Sequence, residues 1–127
     1  MDRFRSGCPI ASSLDILGDK WTLVVLRSFA MGARSYSDLV RQPEGIATNI
    51  LANRLSRMEA VGLIVQTQAR QGARPGQYAL TKKGAALLPV IQALARWGEE
   101  FLPERWLPPE HFYALTPADL LVEGTPD

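Results

Sequence analysis

At 127 residues, with one cysteine and one histidine, the chain has room for a single core and lacks the side chains for an intrachain disulfide, a zinc thiolate cluster or a histidine metal site. No apolar run reaches membrane-spanning length, and the start, MDRFRSGCP, has no apolar stretch of the kind a secretory signal needs, so a cytoplasmic protein with no membrane contact is expected. The net charge of +1 hides a lopsided distribution: residues 34–83 hold eight basic against three acidic side chains, and residues 97–127 hold one against seven, a pattern that suits a polyanion on one surface only.

Pro9 suits a first helical position, and Ile10, Leu14 and Leu17 form the apolar ridge of a short helix ending at Gly18. Asp19 is an N-cap for a second helix through Ala30, with Gly32 as its stop. Trp21, Leu23, Val24, Val25, Leu26 and Phe29 cover most of that helix and leave only Lys20 and Arg27 as a charged stripe, so it reads as the buried post of the core. Arg34 to Tyr36 is long enough for a single edge strand, and Ser37 with Asp38 opens a short helix through about Arg41.

Pro43, Glu44 and Gly45 break the chain, and Gly45 to Gly62 follows as an amphipathic helix. At about 100° per residue, Leu51, Leu55 and Met58 share one face, while Asn49, Ala52, Asn53, Ser56, Arg57 and Ala60 share the other. The outer face is small, amide-bearing and cationic, which suits base edges and phosphates. Residues 37–60 therefore read as helix, tight turn, helix, the order in which a second helix enters a major groove.

Leu63 to Thr67 and Gln77 to Leu80 are strand-like, and QARQGARPG between them, with Arg70 and Arg74, reads as a basic hairpin tip lying along a phosphate backbone. Thr81 then caps a long helix from Lys82 to about Leu102, bent but not ended by Pro89. Its stripe of Leu87, Ile91, Leu94, Gly98 and Phe101, flanked by Val90 and Trp97, exceeds what so small a body can cover. A second copy joined through this helix and the first one is the simplest partner, with Ile10, Leu14, Leu94, Trp97 and Phe101 at the seam.

Residues 1–102 thus form one DNA-binding and dimerisation domain, and residues 103–127 a partly ordered tail. The tail is rich in proline, carries one short helix from Thr116 and Pro117, and has Trp106, Leu107, Phe112 and Tyr113 to dock with. An enzyme is not expected: His111 lies in the tail with no carboxylate placed to orient it, and no glycine loop cradles a phosphate. No cofactor is expected either.

The run of CPI, LDILGDKWTLVVLR, YSDL, GIATNILANRLSRMEAVGLI, YALTKKGAALLPVI and RWGEEF, spanning about Cys8 to Phe101, resembles the HxlR family of winged helix-turn-helix regulators. The resemblance implies a mostly helical α+β fold with a small β-hairpin wing and a dimer interface built from the N- and C-terminal helices. It also implies a transcriptional repressor or activator, acting as a homodimer on double-stranded DNA with inverted half-sites. Asn49, Asn53, Arg54 and Arg57 fall where the family's recognition helix meets DNA, and Arg70 and Arg74 where its wing does. Family members often carry serine where this chain has Ala47, so Thr48 is the substitute cap one residue later.

On this basis Asn49, Asn53 and Arg57 read bases, Thr48 lies at the start of the reading helix, and Arg54, Arg70, Arg74, Ser35, Tyr36, Ser37 and Lys82 hold the backbone. Some members sense oxidants or electrophiles through a cysteine where Cys8 stands, and a thiol near a helix N-terminus can be reactive. The competing readings are a winged-helix protein-interaction module, and a regulator that answers to a small-molecule effector with no thiol switch, its pocket lined by aromatics such as Trp21, Tyr78 and Trp97.

Overall fold

A computed structural model of the chain describes residues 3–67 and 76–121. It is mostly helical, with α1 (Pro9–Leu17), α2 (Thr22–Ala30), α3 (Tyr36–Val40), α4 (Thr48–Ala60), β1 (Ile64–Gln66), β2 (Tyr78–Leu80), α5 (Lys82–Ala85) and α6 (Leu88–Phe101) in order. Two 3₁₀ turns, Glu110–Ala114 and Pro117–Leu120, follow. The strands pair antiparallel with Ile64 opposite Leu80, Val65 opposite Ala79 and Gln66 opposite Tyr78.

The post expected from the second helix is present: Val25, Leu26 and Phe29 are buried against Leu39, Leu51, Leu55, Met58, Ile64, Leu80 and Leu88. Its start lies later than the Asp19 cap suggests, at Thr22, because Asp19 Oδ1 accepts from the N–H groups of both Trp21 and Thr22 at 2.8 and 2.9 Å and so holds an extra turn before the helix. At the other end Gly32 takes φ +109, a left-handed value that a side chain would strain, and ends α2 as expected. Arg34 adds a fastening of its own by donating to the Phe29 and Ala33 carbonyls at 3.1 and 2.7 Å.

Three expectations need correction. The short helix begins at Tyr36 under a Ser35 cap, not at Ser37: Ser35 accepts from the Asp38 N–H at 3.1 Å while Asp38 accepts from the Ser35 N–H at 3.1 Å, a reciprocal capping box. The edge strand at Arg34 to Tyr36 is one isolated bridge, Ser35 to Gln77, because the helix claims Tyr36. The long C-terminal helix is interrupted at Ala86 and Leu87, where Pro89 has no N–H for the Ala85 carbonyl and its ring crowds that turn. Leu87 instead bonds back three residues to Gly84 at 3.0 Å.

The chain beyond residue 102 continues into the same core. Phe112 and Leu120 are buried in it, and Gln92 Nε2 on α6 donates to the carbonyls of Phe112 and Leu115, both at 3.0 Å. The short helix expected from Thr116 is a 3₁₀ turn, capped by reciprocal Thr116 and Asp119 bonds. α1, by contrast, contributes no buried residue: Ile16 and Leu17 rest on the core while Ile10 and Leu14 face out, 72% and 52% exposed.

Candidate nucleic-acid interface

α4 packs with one set of side chains and presents another to solvent. Leu51, Leu55 and Met58 are buried; Thr48, Asn49, Ala52, Asn53, Ser56, Arg57 and Ala60 are exposed, which is the two-faced helix that the periodicity predicts. Its N-terminus is unusual in having Ala47 as N-cap with no side-chain bond, and Thr48 does not stand in. The start is held from outside: Tyr36 Oη on α3 donates to the Thr48 carbonyl at 2.9 Å. Helix N-termini without a capping side chain leave first-turn N–H groups open to solvent or an anion.

Arg54 sits where the helix turns from its inner to its outer face and is paired. Its Nε bonds Asp19 Oδ1 at 3.0 Å, across 35 residues, with both side chains about four-fifths covered, and its Nη1 donates to Asn53 Oδ1 at 2.6 Å. So the residue expected to grip phosphate is a strut between the start of α2 and α4, and it also turns the neighbouring amide. With Asn53 Oδ1 taken by Arg54, the Asn53 NH₂ is the group left to face outward.

Asp19 is the centre of this strut. Partial burial alone would raise its pKa, but the Thr22 hydroxyl at 2.5 Å, the Trp21 and Thr22 N–H groups and the Arg54 guanidinium outweigh burial and hold it at about 2, below the ordinary 3.8. A carboxyl whose pKa is depressed on folding adds stability above its unfolded value and loses it as pH falls through the folded one. Wild-type protein is therefore expected to lose about 2 kcal/mol through this group between about pH 4 and pH 2. Asp19→Asn should lack that share, checked by urea unfolding at pH 5 and pH 2.5. Equal pH-induced losses in the two proteins would show that the strut contributes nothing.

Ser37 is exposed, Ser35 is half-buried in its capping box, and Lys82 is exposed at the first turn of α5. Thr81, buried, caps α5 by accepting from Gly84 N–H at 3.0 Å and donates to the Gly62 carbonyl at 2.5 Å, which ties the end of α4 to the base of the strand pair. Arg70 and Arg74 lie outside the described residues. Cys8 is exposed at the N-cap of α1. Among the described residues no group of three or more His, Cys, Asp or Glu comes together as a metal site, and no helix is long and apolar enough to cross a membrane.

Sequence reasoning missed the Arg54 to Asp19 pair and the Tyr36 to Thr48 bond, both of which need the fold to bring distant residues together. The Ser35 cap did leave a signal, because Ser35 and Asp38 have the three-residue spacing of a capping box and Ser37 has no such partner. Trp21 and Tyr78 pack against the core and Trp97 stands exposed on α6; none of the three lines the large groove between α2, the turn after α3 and α6.

The sequence profile of the HxlR-like helix-turn-helix family matches residues 16–106. An uncharacterised HTH-type transcriptional regulator of Mycobacterium tuberculosis is 33% identical over 103 residues, covering 81% of this chain, and this chain spans 65% of that relative's length. Among solved structures, PA1607, assigned as a transcription factor, superposes with a TM-score of 0.74 at 33% identity, covering 82% of this chain and 73% of its own. The quinone-bound YodB of B. subtilis gives 0.61 at 25%, covering 74% and 100%.

Proposed function

From the premise that this chain belongs to the HxlR-like helix-turn-helix family, we propose that it is a transcriptional regulator, a cytoplasmic homodimer that binds an inverted-repeat operator in double-stranded DNA. The observation that carries this is the exposed α4 face of Asn49, Asn53, Ser56 and Arg57, presented by a helix that buries Leu51, Leu55 and Met58 on the other side. No carboxylate stands on that face before Glu59, so nothing repels a phosphate backbone. An interaction module would present apolar side chains there instead.

Asn49, Asn53 and Arg57 read bases. Asn53, with its oxygen held by Arg54, offers its NH₂ and so meets an acceptor such as guanine O6 or N7 or thymine O4, not the two-sided edge of adenine. The open first turn of α4 at Thr48, together with Ser37 and Lys82, faces the phosphates, and Arg70 and Arg74 complete the backbone contacts. Arg54 acts on DNA through Asn53 and Asp19. Residues 1–102 supply the reading and pairing surfaces, and the tail braces α6.

A second role is supported by Cys8, an exposed thiol at a helix start beside the outward-facing Ile10, in a chain similar to a regulator solved with quinone bound. Its sulfur would add to the quinone ring, forming a C–S bond as the quinone becomes a hydroquinone and takes up the thiol proton. The adduct would sit at the seam between copies.

One experiment tests both roles: selection of bound sequences from random duplex DNA, with and without a benzoquinone. We expect a palindromic site, lost with quinone for the wild-type protein and kept for Cys8→Ser. On the selected site, Asn53→Ala should cost about 1 to 3 kcal/mol at one base position. Arg74→Ala should weaken binding to every sequence and lower the salt slope by about one. Selection of no site, or of one without symmetry, refutes the operator reading; equal quinone response in Cys8→Ser refutes the thiol role.

A further inference from the structure

A groove of about 790 Å³, to which no α4 residue contributes, lies between α2, the turn after α3, α6 and the stretch Trp106 to Pro109. Sites for small ligands span about 300 to 1,000 Å³ and combine apolar walls with a few placed polar groups. Leu23, Val24, Met31, Ile91, Leu94 and Phe112 supply the walls here. Trp106 and Leu107 form a lip, 80% and 77% exposed, so a large apolar edge stands open at the mouth.

Two guanidinium groups reach the groove, and each brings its own carboxylate. Arg27 donates to both Glu44 oxygens at 2.6 and 2.9 Å, and Arg41 pairs with Asp38 at 3.2 Å. No uncompensated charge is left in the wall to draw in an organic ion, which favours a neutral occupant.

The polar feature is Gln42, 7% exposed in the groove wall. Its Oε1 accepts from the Ser28 hydroxyl at 2.6 Å and from Arg27 Nη2 at 3.4 Å. A guanidinium can only donate, so the amide oxygen must face it and the NH₂ is turned away. That Nε2 is the one buried side-chain nitrogen or oxygen among the described residues without a hydrogen-bond partner. A buried donor left unmatched is unfavourable, and an acceptor in the groove would relieve it once a small shift of the Gln42 side chain uncovers Nε2.

We propose that this groove is the receptor site for a neutral, largely apolar small molecule bearing a carbonyl-type acceptor, which takes the hydrogen bond that Gln42 Nε2 lacks. A small molecule fits better than a second copy of the chain. Of the five side chains assigned to the seam between copies only Leu94 borders the groove, so the two surfaces are neighbours, not one. Through Leu94 and Ile91 on α6 and Asp38 on α3, an occupant touches both the pairing helix and the first helix of the helix-turn-helix. Control of DNA binding by this route rests on the function proposed above; occupancy itself is measured without DNA.

The test titrates the full chain with Prodan, a neutral naphthalene with one ketone and no thiol-reactive group, and with N-phenyl-1-naphthylamine, which has no carbonyl, following the emission of each. Both should bind the wild type. Gln42→Leu should weaken Prodan roughly tenfold and N-phenyl-1-naphthylamine by no more than about twofold, the second probe reporting that the groove is intact. Ala95→Trp, which fills the groove from α6, should abolish both while circular dichroism stays unchanged. Failure of the wild type to bind either probe, as would follow if a segment of a second copy fills the groove, overturns the proposal. So does Prodan affinity that is unchanged in Gln42→Leu, or that survives in Ala95→Trp.

Discussion

Trp97→Asp is expected to leave the chain folded, convert it to a monomer, and lower affinity for a two-half-site operator by at least about a hundredfold, the avidity that linking two weak sites ordinarily supplies. Trp97 is 56% exposed and Phe101 60%, their rings 5.5 Å apart on one side of α6 with Leu94, so removing the indole empties no core. The same helix turns Leu88 and Ile91 inward. α1 gives the stronger reason to expect a partner: a nine-residue helix is marginal by itself in water, and this one has no fully buried residue in the single chain, only Ile16 and Leu17 resting on the core. A charge at the centre of such a face opposes its own copy across a two-fold axis, which doubles the penalty. Sedimentation velocity of the variant, with anisotropy on full and half operators, decides the matter. A Trp97→Asp protein that remains dimeric would place the seam elsewhere.

Gly84→Ala should be the most destabilising glycine-to-alanine change among the described residues, costing about 3 kcal/mol or more, the upper range for overpacking, since backbone has to move. A Cβ there would lie 2.1 Å from the Leu63 carbonyl oxygen and 3.2 Å from Leu80 Cδ2. Glycine lets α5 press against the end of α4 and the base of the strand pair, where Thr81 N–H also reaches that Leu63 oxygen at 3.1 Å. Gly98→Ala is the control. Its Cβ would meet nothing closer than Leu102 Cδ1 at 3.9 Å, and alanine in mid-helix is favoured by up to about 1 kcal/mol. Urea midpoints that fall for Gly98 and hold for Gly84 would contradict the packing described.

Periodicity carried much of this architecture. Leu51, Leu55 and Met58 against Asn49, Asn53 and Arg57 is a statement about angle around one helix, and the fold keeps it. The outward phase of Leu94, Trp97 and Phe101 is of the same kind. Ile91 sits at the edge of that stripe: on the unbroken α6 it is about 60° from Leu94 on one side and from Leu88 on the other, so it joins Leu88 in the core while Leu94, Trp97 and Phe101 face out. Pairings between remote residues, by contrast, were out of reach. Asp19 was a plain cap and Arg54 a free cation until the fold set them 3.0 Å apart. Gln42 carried no signal at all, since a buried amide lacking a partner is defined only by what surrounds it. Phe112 and Leu120 were visible as apolar residues, but not as members of the core, because the proline-rich stretch before them has no period to follow.

The strict division of labour along α4 bears on how such a regulator could be retargeted. The groups that seat the helix, Leu51, Leu55, Met58, the partly buried Ile50, the Arg54 strut and the Tyr36 bond to the Thr48 carbonyl, are distinct from the exposed side chains of Asn49 and Arg57. Under the function proposed above, those two positions form an interchangeable cassette that is expected to be rewritable for a new operator at little cost to stability. Asn53 is the exception, because its amide is wired to the strut, so a library that randomises it together with Arg54 will return misfolded helices alongside new specificities.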